Sequence, residues 1–380
     1  MEMRVAMLFD NWWPMVGGTP VHVLELSRHL IARHQCRIDI FTRSLRDEKG
    51  RVYKGVESKM SGRLRIFRLP PTINYWNPLG RALYLGSCVI KIGKEYDLVH
   101  AHSYDPGFAG YLLHKLKKLP CVFTVHGSGL SHWKDLNPTN SWSGKIREMA
   151  EAILLHKLSY SHIISVNPEV AEKLKLYHKH VSYIPNGVEI KKFKGKCKRI
   201  PYRILFVGRL EPQKSVDTLI KALPLVLREF PEVKLWVVGD GRLKVESEKL
   251  AEKLGVRDNV EFEGSVDEIT PYLKKASLFV LPSIFEGQAL TLLEAWAVRL
   301  PVIATNVEGI KSVVRDRVNG LLVPKKNPKA LANAIVYAFN NPKEAKRWGE
   351  EGYKTVRKNH RWEEIADRTY EIYCQVLDNE

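Results

Sequence analysis

The stretch ASLFVLPSIFEGQALTLLEA, residues 276–295, has the order of a strand, a loop and a helix. Its first part is almost entirely apolar, which favours a strand buried on both faces and therefore a parallel sheet covered by helices. Two carboxylates follow: Glu286 lies in the predicted loop, and Glu294 lies one or two turns inside the predicted helix. Because ligands of parallel sheets bind where strands end and helices begin, this stretch predicts a ligand site.

The same alternation of β-type runs and amphipathic helical stretches fills the rest of the chain. It restarts after a basic segment, residues 191–201, where we place a domain boundary. From Trp362 onward, apolar residues at helical spacing predict a final amphipathic helix. The predicted fold class is α/β with two parallel-sheet halves, and the strand runs are residues 4–9, 36–42, 98–101, 121–125, 162–166, 203–207, 234–238, 278–281 and 302–304.

Composition is that of a globular protein large enough for two cores, with 380 residues, 44% hydrophobic and 27% charged. No apolar run approaches the roughly 20 residues that cross a bilayer, and the early acid Glu2 is atypical of a signal peptide, so we expect a cytoplasmic location. The five cysteines lack metal-ligand spacing, which predicts reduced thiols and neither a zinc site nor a disulfide framework.

The formal net charge of +18 lies mainly in the first half of the chain. Residues 1–190 hold 26 Lys and Arg against 16 Asp and Glu, segment 191–201 adds six cations, and the remainder holds 28 against 26. One interpretation is a solvated surface like that of thermophile proteins; the other is a first half that meets phosphates or an anionic membrane. Nucleic acid is not an expected partner, since no nucleic-acid-binding motif accompanies the charge.

Two loops at predicted strand ends carry candidate functional residues in the first half. Gly17 and Gly18 open a helix, where glycine allows close approach of a ligand and leaves helix amides free for an anion. A structural turn explains this pair equally well. His126 ends a strand and is followed by Gly127 and Gly129. A lone histidine is more often structural, but this position beside a permissive backbone favours a catalytic role.

In the second half, Arg209 and Lys214 flank a proline turn at a strand end. Both could converge on a diphosphate, the arginine as a fork and the lysine as a point charge, or they could be two surface cations. Farther on, the turn of Gly264, Ser265 and Val266 could expose backbone groups to a nucleobase. No Asp-x-Asp pair is placed to hold a metal ion.

The opening stretch then acquires a chemical interpretation. Amides at the start of its helix, residues 288–291, favour an anion, and the side chain of Glu294 leans back toward them. A carboxylate accepts hydrogen bonds from two hydroxyls at once, which suits the diols of a ribose and a hexose; a phosphate between two diols is a sugar nucleotide. Complementing the helix dipole would explain Glu286, but not Glu294 among apolar neighbours.

Taken in order, these motifs resemble those of the retaining glycosyltransferases of family 4, which have the GT-B fold. They span essentially the whole chain, and the ordered set is highly specific. The matching segments are Pro14 to Gly18, Asp97 to His102, Thr124 to Gly127, Ile184 to Val188, Gly208 to Leu210 with Lys214, Val237 to Gly241, the pair Glu286 and Glu294, Pro301 to Thr305, and Asn319 to Val323.

The resemblance implies two Rossmann-like domains that face a cleft. Residues 1–190 would hold the acceptor, residues 191–201 would be a basic linker, residues 202–361 would hold the donor, and residues 362–380 would cross back as a helix to pack on the first domain. Enzymes of this family act without a divalent metal, and we expect no cofactor. The expected partners are a nucleoside-diphosphate sugar as donor and a sugar, glycan or lipid-linked acceptor.

The resemblance also implies a role for each candidate residue. His126 and Glu286 would be catalytic, orienting the donor sugar, and no residue is implied as a metal ligand. Gly18 would lie at the junction of phosphate and acceptor, and Arg209 and Lys214 would bind the diphosphate. Beside the base would be Gly264, Ser265 and Val266, and Glu294 would bind the ribose. The sugar and phosphate would be surrounded by Glu286, Gln288, Ala289, Leu290 and Thr291.

The predicted activity is hexosyl transfer to an acceptor hydroxyl. Two alternatives would keep the donor site: a sugar-nucleotide epimerase of GT-B architecture, and a non-catalytic homologue that binds the sugar nucleotide. The chain departs from the family pattern at Ser215 and Ala289, which are small and should preserve the loops. It departs again at Glu308 and Ser312, which bear on donor selectivity.

The acceptor is indicated only by charge and aromatic residues. Tyr75, Trp76 and the run Lys115 to Lys118 lie in the basic first half. They suggest a phosphate-bearing acceptor or peripheral contact with the inner surface of an anionic membrane. Core packing and ordinary solubility explain the same residues about as well.

Overall fold

The computed structural model describes residues 2–10, 17–46, 52–69, 78–127 and 142–379. Chain contacts divide it into two compact units. Within the described ranges, unit 1 contains residues up to 127, 142–186 and 362–379, and unit 2 contains residues 187–361. The end of the chain therefore belongs to unit 1, although it follows unit 2 in sequence.

Unit 1 is built on an eight-stranded sheet and a separate small hairpin. Its strands are β1 Arg4–Phe9, β2 Arg37–Arg43, the hairpin of β3 Leu45–Arg46 and β4 Val52–Tyr53, then β5 Gly55–Lys59, β6 Leu64–Leu69, β7 Leu98–His102, β8 Cys121–Val125, β9 His162–Ser165 and β10 Val181–Tyr183. The order of the large sheet is β10-β9-β8-β7-β1-β2-β6-β5. Adjacent strands of this sheet run parallel, except that β5 is antiparallel to β6. The central strands β7 and β8 are buried along their whole length, as their apolar sequences predict.

The helices of unit 1 enclose two hydrophobic cores, one on each side of the sheet. They are α1 Gly18–His34, α2 Pro78–Lys91, α3 Tyr104–Lys117, α4 Trp142–His156, α5 Pro168–Leu174, a 3-10 turn at Met60–Gly62, and the C-terminal helix Trp362–Asp378. Trp362 and Tyr373 of the C-terminal helix are buried in the same core as β1. Arg33 of α1 donates two hydrogen bonds, of 2.7 and 2.6 Å, to the carboxylate of Asp367. The expected packing of the last helix on the first half of the chain is thus confirmed.

Unit 2 has a six-stranded, fully parallel sheet. Its strands are β11 Arg203–Val207, β12 Lys234–Val238, β13 Val260–Gly264, β14 Leu278–Leu281, β15 Val302–Thr305 and β16 Leu321–Val323. They lie in the order β13-β12-β11-β14-β15-β16, which is the Rossmann order 3-2-1-4-5-6 counted from β11. The predicted α/β fold class with two parallel-sheet units is confirmed.

Helices of unit 2 separate its two cores from solvent. They are α6 Val216–Glu229, α7 Lys244–Lys253, α8 Thr270–Lys275, α9 Leu290–Ala297, α10 Glu308–Lys311, α11 Pro328–Asn340 and α12 Pro342–Asn359, with 3-10 turns at Ile190–Phe193, Pro212–Lys214 and Arg257–Asn259.

The basic segment 191–201, expected as a linker, is packed within unit 2. Phe193 is buried in one of its cores. The guanidinium of Arg199 donates hydrogen bonds of 3.0 and 2.6 Å to the carbonyls of Ala276 and Val298. An apolar anchor and bonds to backbone carbonyls hold the segment to unit 2, despite its composition.

None of the helices in the described ranges is long and apolar enough to cross a membrane. All five cysteines are free, and Cys36, Cys88 and Cys121 are buried. Burial raises the pKa of the Cys36 and Cys88 thiols to about 12, which makes both unreactive near neutral pH.

Candidate active site

The strand order of unit 2 reverses between β11 and β14, so the loops after these adjacent strands diverge from one point of the sheet edge. Ligands of open α/β sheets bind in the crevice at such a point. Arg209 and Lys214 follow β11, and Glu286 follows β14. Topology therefore brings three predicted site residues to the same edge.

Lys214 and Glu286 form an ion pair at this edge. Nζ of Lys214 lies 2.5 Å from Oε1 of Glu286, and the same oxygen accepts a 2.6 Å hydrogen bond from Oγ of Ser283. The side chain of Glu286 is 6% exposed and that of Lys214 is 17% exposed. A pair so poorly solvated offsets its desolvation cost only when its geometry is well defined, and two short bonds on one oxygen define it.

Further contacts clamp the two loops together. The amide of Gln213 donates a 2.9 Å hydrogen bond to the carbonyl of Phe285, and the backbone N–H of Ile284 donates one of 2.9 Å to the carbonyl of Gln213. The hydroxyl of Thr305 donates to the carbonyl of Ser283. These contacts were not predicted from the sequence, because no local pattern relates positions so far apart in the chain.

Gly309 lies against the loop that follows β14 and carries Glu286, here called the glutamate loop. A Cβ atom at this position would lie 2.2 Å from the carbonyl oxygens of Glu286 and Gly287. Real Cβ atoms do not approach oxygen so closely, so only glycine fits without moving the loop. Its neighbours Glu308 and Ser312 are departures from the family pattern, but no role was predicted for Gly309 itself.

The helix α9 begins beside this loop. Its N-cap residue, Ala289, makes no side-chain capping bond, so a ligand anion is not in competition with such a cap for the first amides. Gln288, Ala289 and Leu290 are buried, and Thr291 is half-buried. Glu294 is also half-buried and lies in the second turn of α9. Burial raises the pKa of its carboxyl group to about 7, although the charge of Lys192 lowers that pKa by a smaller amount.

The remaining donor candidates lie around the same edge. Arg209 is exposed. Gly264 ends β13 with a φ of +68°, which favours glycine, and its carbonyl accepts a 2.8 Å hydrogen bond from the N–H of Gly239. Ser265 is exposed, and Val266 packs against a core of unit 2. Within the described ranges, no hydrogen bond links residues 264–266 to Lys214 or Glu286.

Ser215, which departs from the family pattern, adopts a backbone conformation that favours glycine. Its φ of +46° and ψ of +45° are left-handed, which an L-residue enters at a cost of about 1–2 kcal/mol. Its hydroxyl hydrogen-bonds to the carboxylate of Asp217 at 3.0 Å and to the hydroxyl of Thr218 at 2.8 Å. The local bonds at the start of α6 offset part of that cost.

In unit 1 the strand order reverses between β1 and β7, and the corresponding edge carries histidines. His22 lies on α1, the helix after β1; His102 is the last residue of β7; and His126 follows β8. Gly18, the first residue of α1, is exposed. Sequence reasoning identified His126 and Gly18 but not His22 and His102.

The three histidines form one cluster. A ring nitrogen of each of His22, His102 and His126 lies within 4.8 Å of those of the other two. Nδ1 of His102 is 3.0 Å from Nε2 of His126, and Nδ1 of His22 is 2.8 Å from Oδ1 of Asn186. His22 also meets Trp362 edge to face, with ring centroids 5.2 Å apart. His126 is therefore held by other imidazoles rather than by a carboxylate.

Burial keeps these imidazoles neutral. Burial lowers the pKa of His22 to about 4, although the hydrogen bond to Asn186 raises that pKa by a smaller amount. Burial also lowers the pKa of His102 and of His126 well below the usual value, and neighbouring histidines lower both further. Nε2 of His102 is buried without a hydrogen-bond partner among the described residues. The three histidines are thus uncharged near neutral pH, unlike Lys214 and Glu286 in unit 2.

Some sequence predictions lie outside the described residues. These are the start of the first glycine motif at Pro14, the glycine at 129 after His126, and the aromatic pair Tyr75 and Trp76.

Known glycosyltransferases are similar to this chain over nearly its whole length. The family model described as Glycosyltransferase Family 4 matches residues 16–192, and that described as Glycosyl transferases group 1 matches residues 188–355. An uncharacterized glycosyltransferase of Methanocaldococcus jannaschii is 31% identical over 377 residues, covering 97% of each chain. The D-inositol 3-phosphate glycosyltransferase of Corynebacterium glutamicum is 24% identical over 100% of this chain and 98% of its own.

Solved structures share the fold. Sucrose-phosphate synthase from Thermosynechococcus elongatus superimposes with a TM-score of 0.85 at 24% identity, covering 100% of both chains. HepE from Anabaena in complex with UDP and glucose has a TM-score of 0.74 at 18% identity, covering 97% of this chain and 99% of its own. With the family models and the archaeal relative, the conclusion is that this chain belongs to glycosyltransferase family 4, has the GT-B fold and is an enzyme of the hexosyltransferase class.

Proposed function

We propose that the protein transfers a hexose from a nucleoside-diphosphate sugar to an acceptor hydroxyl, with retention of anomeric configuration and without a metal ion. The ion pair of Lys214 and Glu286 at the switch point of the unit 2 sheet carries this proposal. It sets a cation for phosphate beside a carboxylate for sugar hydroxyls. A related structure described with UDP-glucose supports the same class of ligand.

We assign side chains or helix amides to each step of the transfer. Arg209, Lys214 and the first amides of α9 stabilise the charge that develops on the departing diphosphate, which replaces the work of a metal ion. Glu286 and His126 orient the donor sugar, and Glu294 binds the ribose. The acceptor hydroxyl attacks the face from which the diphosphate leaves, and the departing phosphate takes its proton. Bond making and bond breaking on one face retain the anomeric configuration.

The other candidates complete the donor site. Residues 264–266 border the base, residues 288–291 surround the sugar and phosphate, and Gly18 lies at the junction of phosphate and acceptor. The donor is a substrate, so the reaction needs no separate cofactor.

The acceptor is a sugar, a glycan or a lipid-linked molecule, and the enzyme acts in the cytoplasm at the inner membrane surface. Exposed apolar side chains in unit 1 support the membrane contact: Ile90 is 82% exposed on α2, Leu116 is 67% exposed on α3 and Met149 is 60% exposed on α4. The helices α2 and α4 both contact α3, and the exposed Lys115 and Lys118 lie beside Leu116. Apolar and basic residues together favour an anionic bilayer surface.

A thermal-shift panel of UDP-, GDP- and ADP-sugars tests the donor. A ligand present at 100 times its Kd stabilises the native state by about 2.7 kcal/mol, so we expect a rise in Tm with one nucleotide class that is lost in Arg209→Ala. The responding donor is then incubated with and without acceptors, and the products are analysed. No shift with any donor, or conversion of the donor to an epimer without an acceptor, contradicts the proposal.

Sedimentation with vesicles tests the membrane contact. Wild-type protein is expected to sediment with anionic vesicles at low salt and less at high salt. The double variant Ile90→Glu with Leu116→Glu should stay in the supernatant, whereas Val245→Glu, at a 57% exposed position of unit 2, should behave as wild type. Equal sedimentation of all three proteins contradicts the assigned surface.

A further inference from the structure

We propose that His22, His102 and His126 form a binding site for a divalent transition-metal ion such as Zn²⁺, and that the bound ion inhibits the enzyme. The inhibitory part rests on the proposed function, which places His126 on the donor sugar. The binding part rests on the cluster alone.

The spacing of the cluster is close to that of a zinc site. Zinc–imidazole bonds of about 2.0–2.1 Å in tetrahedral geometry put ligand nitrogens about 3.3 Å apart. Nδ1 of His102 and Nε2 of His126 are 3.0 Å apart, and the largest separation within the cluster is within 4.8 Å. Small rotations of the imidazole rings would bring all three nitrogens to bonding distance.

A second contact orients one of the ligands. Nδ1 of the His22 ring bonds to Oδ1 of Asn186 at 2.8 Å, which leaves Nε2 for a metal ion. Histidines that ligate metals usually donate the other ring N–H to an oxygen in this way, and such contacts change metal affinity by roughly 10–100-fold. Asn186 lies 164 residues from His22 in the chain, so the fold, not local sequence, supplies this orientation.

The donor set of the cluster is three imidazoles. His102 is fully buried and its Nδ1 faces Nε2 of His126, so Nδ1 would bind the ion and Nε2 would carry the ring proton. Three imidazoles without a carboxylate favour Zn²⁺, Cu²⁺ or Ni²⁺ over Mg²⁺ or Ca²⁺, which prefer oxygen ligands.

Solvent reaches the cluster from one side. His22 and His102 are buried, whereas His126, which follows β8, is half-buried. An ion bound here would have three protein ligands and a fourth position open on the side from which solvent reaches the cluster. It would take up Nε2 of His126 and fix the ring, so transfer should fall as the site fills.

Cobalt titration of tag-free, chelator-treated protein tests the site, because Co²⁺ in a tetrahedral site absorbs visible light. We expect an absorption band that saturates at one equivalent and that Zn²⁺ removes. His22→Gln and His102→Gln should each weaken binding at least tenfold. His29→Gln is the matched control: it changes a half-buried histidine two turns along the same helix and should leave binding unchanged.

Asn186 provides a test in both directions. Asn186→Asp places a carboxylate on His22 and should tighten cobalt binding, whereas Asn186→Leu should weaken it roughly 10–100-fold. Circular dichroism confirms that each variant is folded, and a purely structural asparagine would not give opposite effects. Binding that is absent, or that is equal in His22→Gln, His102→Gln and wild type, overturns the proposal.

The cobalt readout needs no turnover. Cobalt binding at the cluster in a protein that transfers no sugar would contradict the proposed function and leave the metal site standing. In an active enzyme, Zn²⁺ should inhibit wild type and His29→Gln over the range in which cobalt saturates the site, and Mg²⁺ should not. Full activity at metal saturation overturns the inhibitory part.

Discussion

The two units place their candidate sites at the same topological position with opposite chemistry. Each site lies where the strand order reverses beside the first strand of the unit, at β1 and β7 in unit 1 and at β11 and β14 in unit 2. The candidate site of unit 2 holds an ion pair, Lys214 with Glu286, whereas the candidate site of unit 1 holds neutral imidazoles. Topology therefore determines where a site forms, and the loop residues determine what the site can bind.

Burial acts alike on both edges. It raises the pKa of Glu294 to about 7 and lowers the pKa of His22 to about 4, in each case favouring the neutral form. Charged pairs are the exception, because each partner compensates the other; examples are Lys214 with Glu286 in unit 2 and Arg43 with Asp10 in unit 1. Since the first pair lies in the candidate donor site, the substitutions with the largest expected effect on activity are those that remove Lys214 or Glu286.

Lys214→Met and Glu286→Gln should each abolish most of the transfer activity. Removing one preorganised electrostatic group costs roughly 10²–10³-fold in rate, so we expect kcat/KM to fall by at least that factor. Steady-state kinetics with the identified donor and acceptor measure it. The control is Lys221→Ala, which breaks the 2.7 Å surface pair with Asp217 on α6 and should leave activity within about twofold.

Activity near wild type in Lys214→Met would show that the ion pair is structural. The charge difference between the two sites would then have no role in catalysis, and the assignment of the unit 2 edge as the donor site would be wrong.

Gly309→Ala should disturb the glutamate loop without touching a charged group. The added Cβ would lie 2.2 Å from the carbonyls of Glu286 and Gly287, and overpacking of this kind costs roughly 1–3 kcal/mol. We expect a lower Tm and at least a tenfold loss of kcat/KM. The control Gly86→Ala, in open space on α2 of unit 1, should leave stability unchanged or raise it by up to about 1 kcal/mol. A wild-type kcat/KM for Gly309→Ala would mean that the loop position is unimportant.

Glu294→Gln should separate stability from donor binding. Because the folded pKa of Glu294, about 7, lies above its unfolded value of 4.5, the folded state binds more protons between these pH values, and stability falls as pH rises through this range. Glutamine removes the penalty, so the ligand-free variant should be more stable than wild type above pH 7, by ~1–3 kcal/mol, and gain little near pH 4.5. Donor affinity should fall, since the ribose loses its carboxylate.

Thermal melts of wild type and variant from pH 4.5 to 9 measure the stability difference, and thermal shift with the donor measures affinity. A stability difference that does not change with pH would show that Glu294 has an ordinary pKa.

Much of the fold followed from the sequence because it rests on local patterns. Continuous apolar runs predicted the parallel strands. The rule that ligands of parallel sheets bind where strands end, here called the strand-end rule, located Glu286 and Lys214. The segment 191–201 was predicted as a linker from its basic composition, which did not indicate that buried Phe193 packs the segment on unit 2. Composition reports average exposure, whereas one buried aromatic residue can determine where a segment packs.

The parts of the site that the sequence did not predict depend on contacts between distant positions. The approach of Gly309 to the glutamate loop and the bond from His22 to Asn186 are visible only in three dimensions. The histidine cluster was closer to prediction. His22, His102 and His126 all follow or end neighbouring parallel strands, so the strand-end rule applied to all three would have brought them together.

The smallest expected effect concerns backbone conformation in the two units. Lys118 of unit 1 and Ser215 of unit 2 both have left-handed φ values, +56° and +46°, which cost an L-residue about 1–2 kcal/mol. Lys118→Gly, at the C-terminal end of α3, should raise stability by about 1 kcal/mol. Ser215→Gly should gain less, or nothing, because it also loses the hydroxyl bonds to Asp217 and Thr218, each worth ~0.5–1.5 kcal/mol. Denaturant melts measure both changes, and a gain in Ser215→Gly equal to that in Lys118→Gly would show that those hydroxyl bonds contribute no net stability.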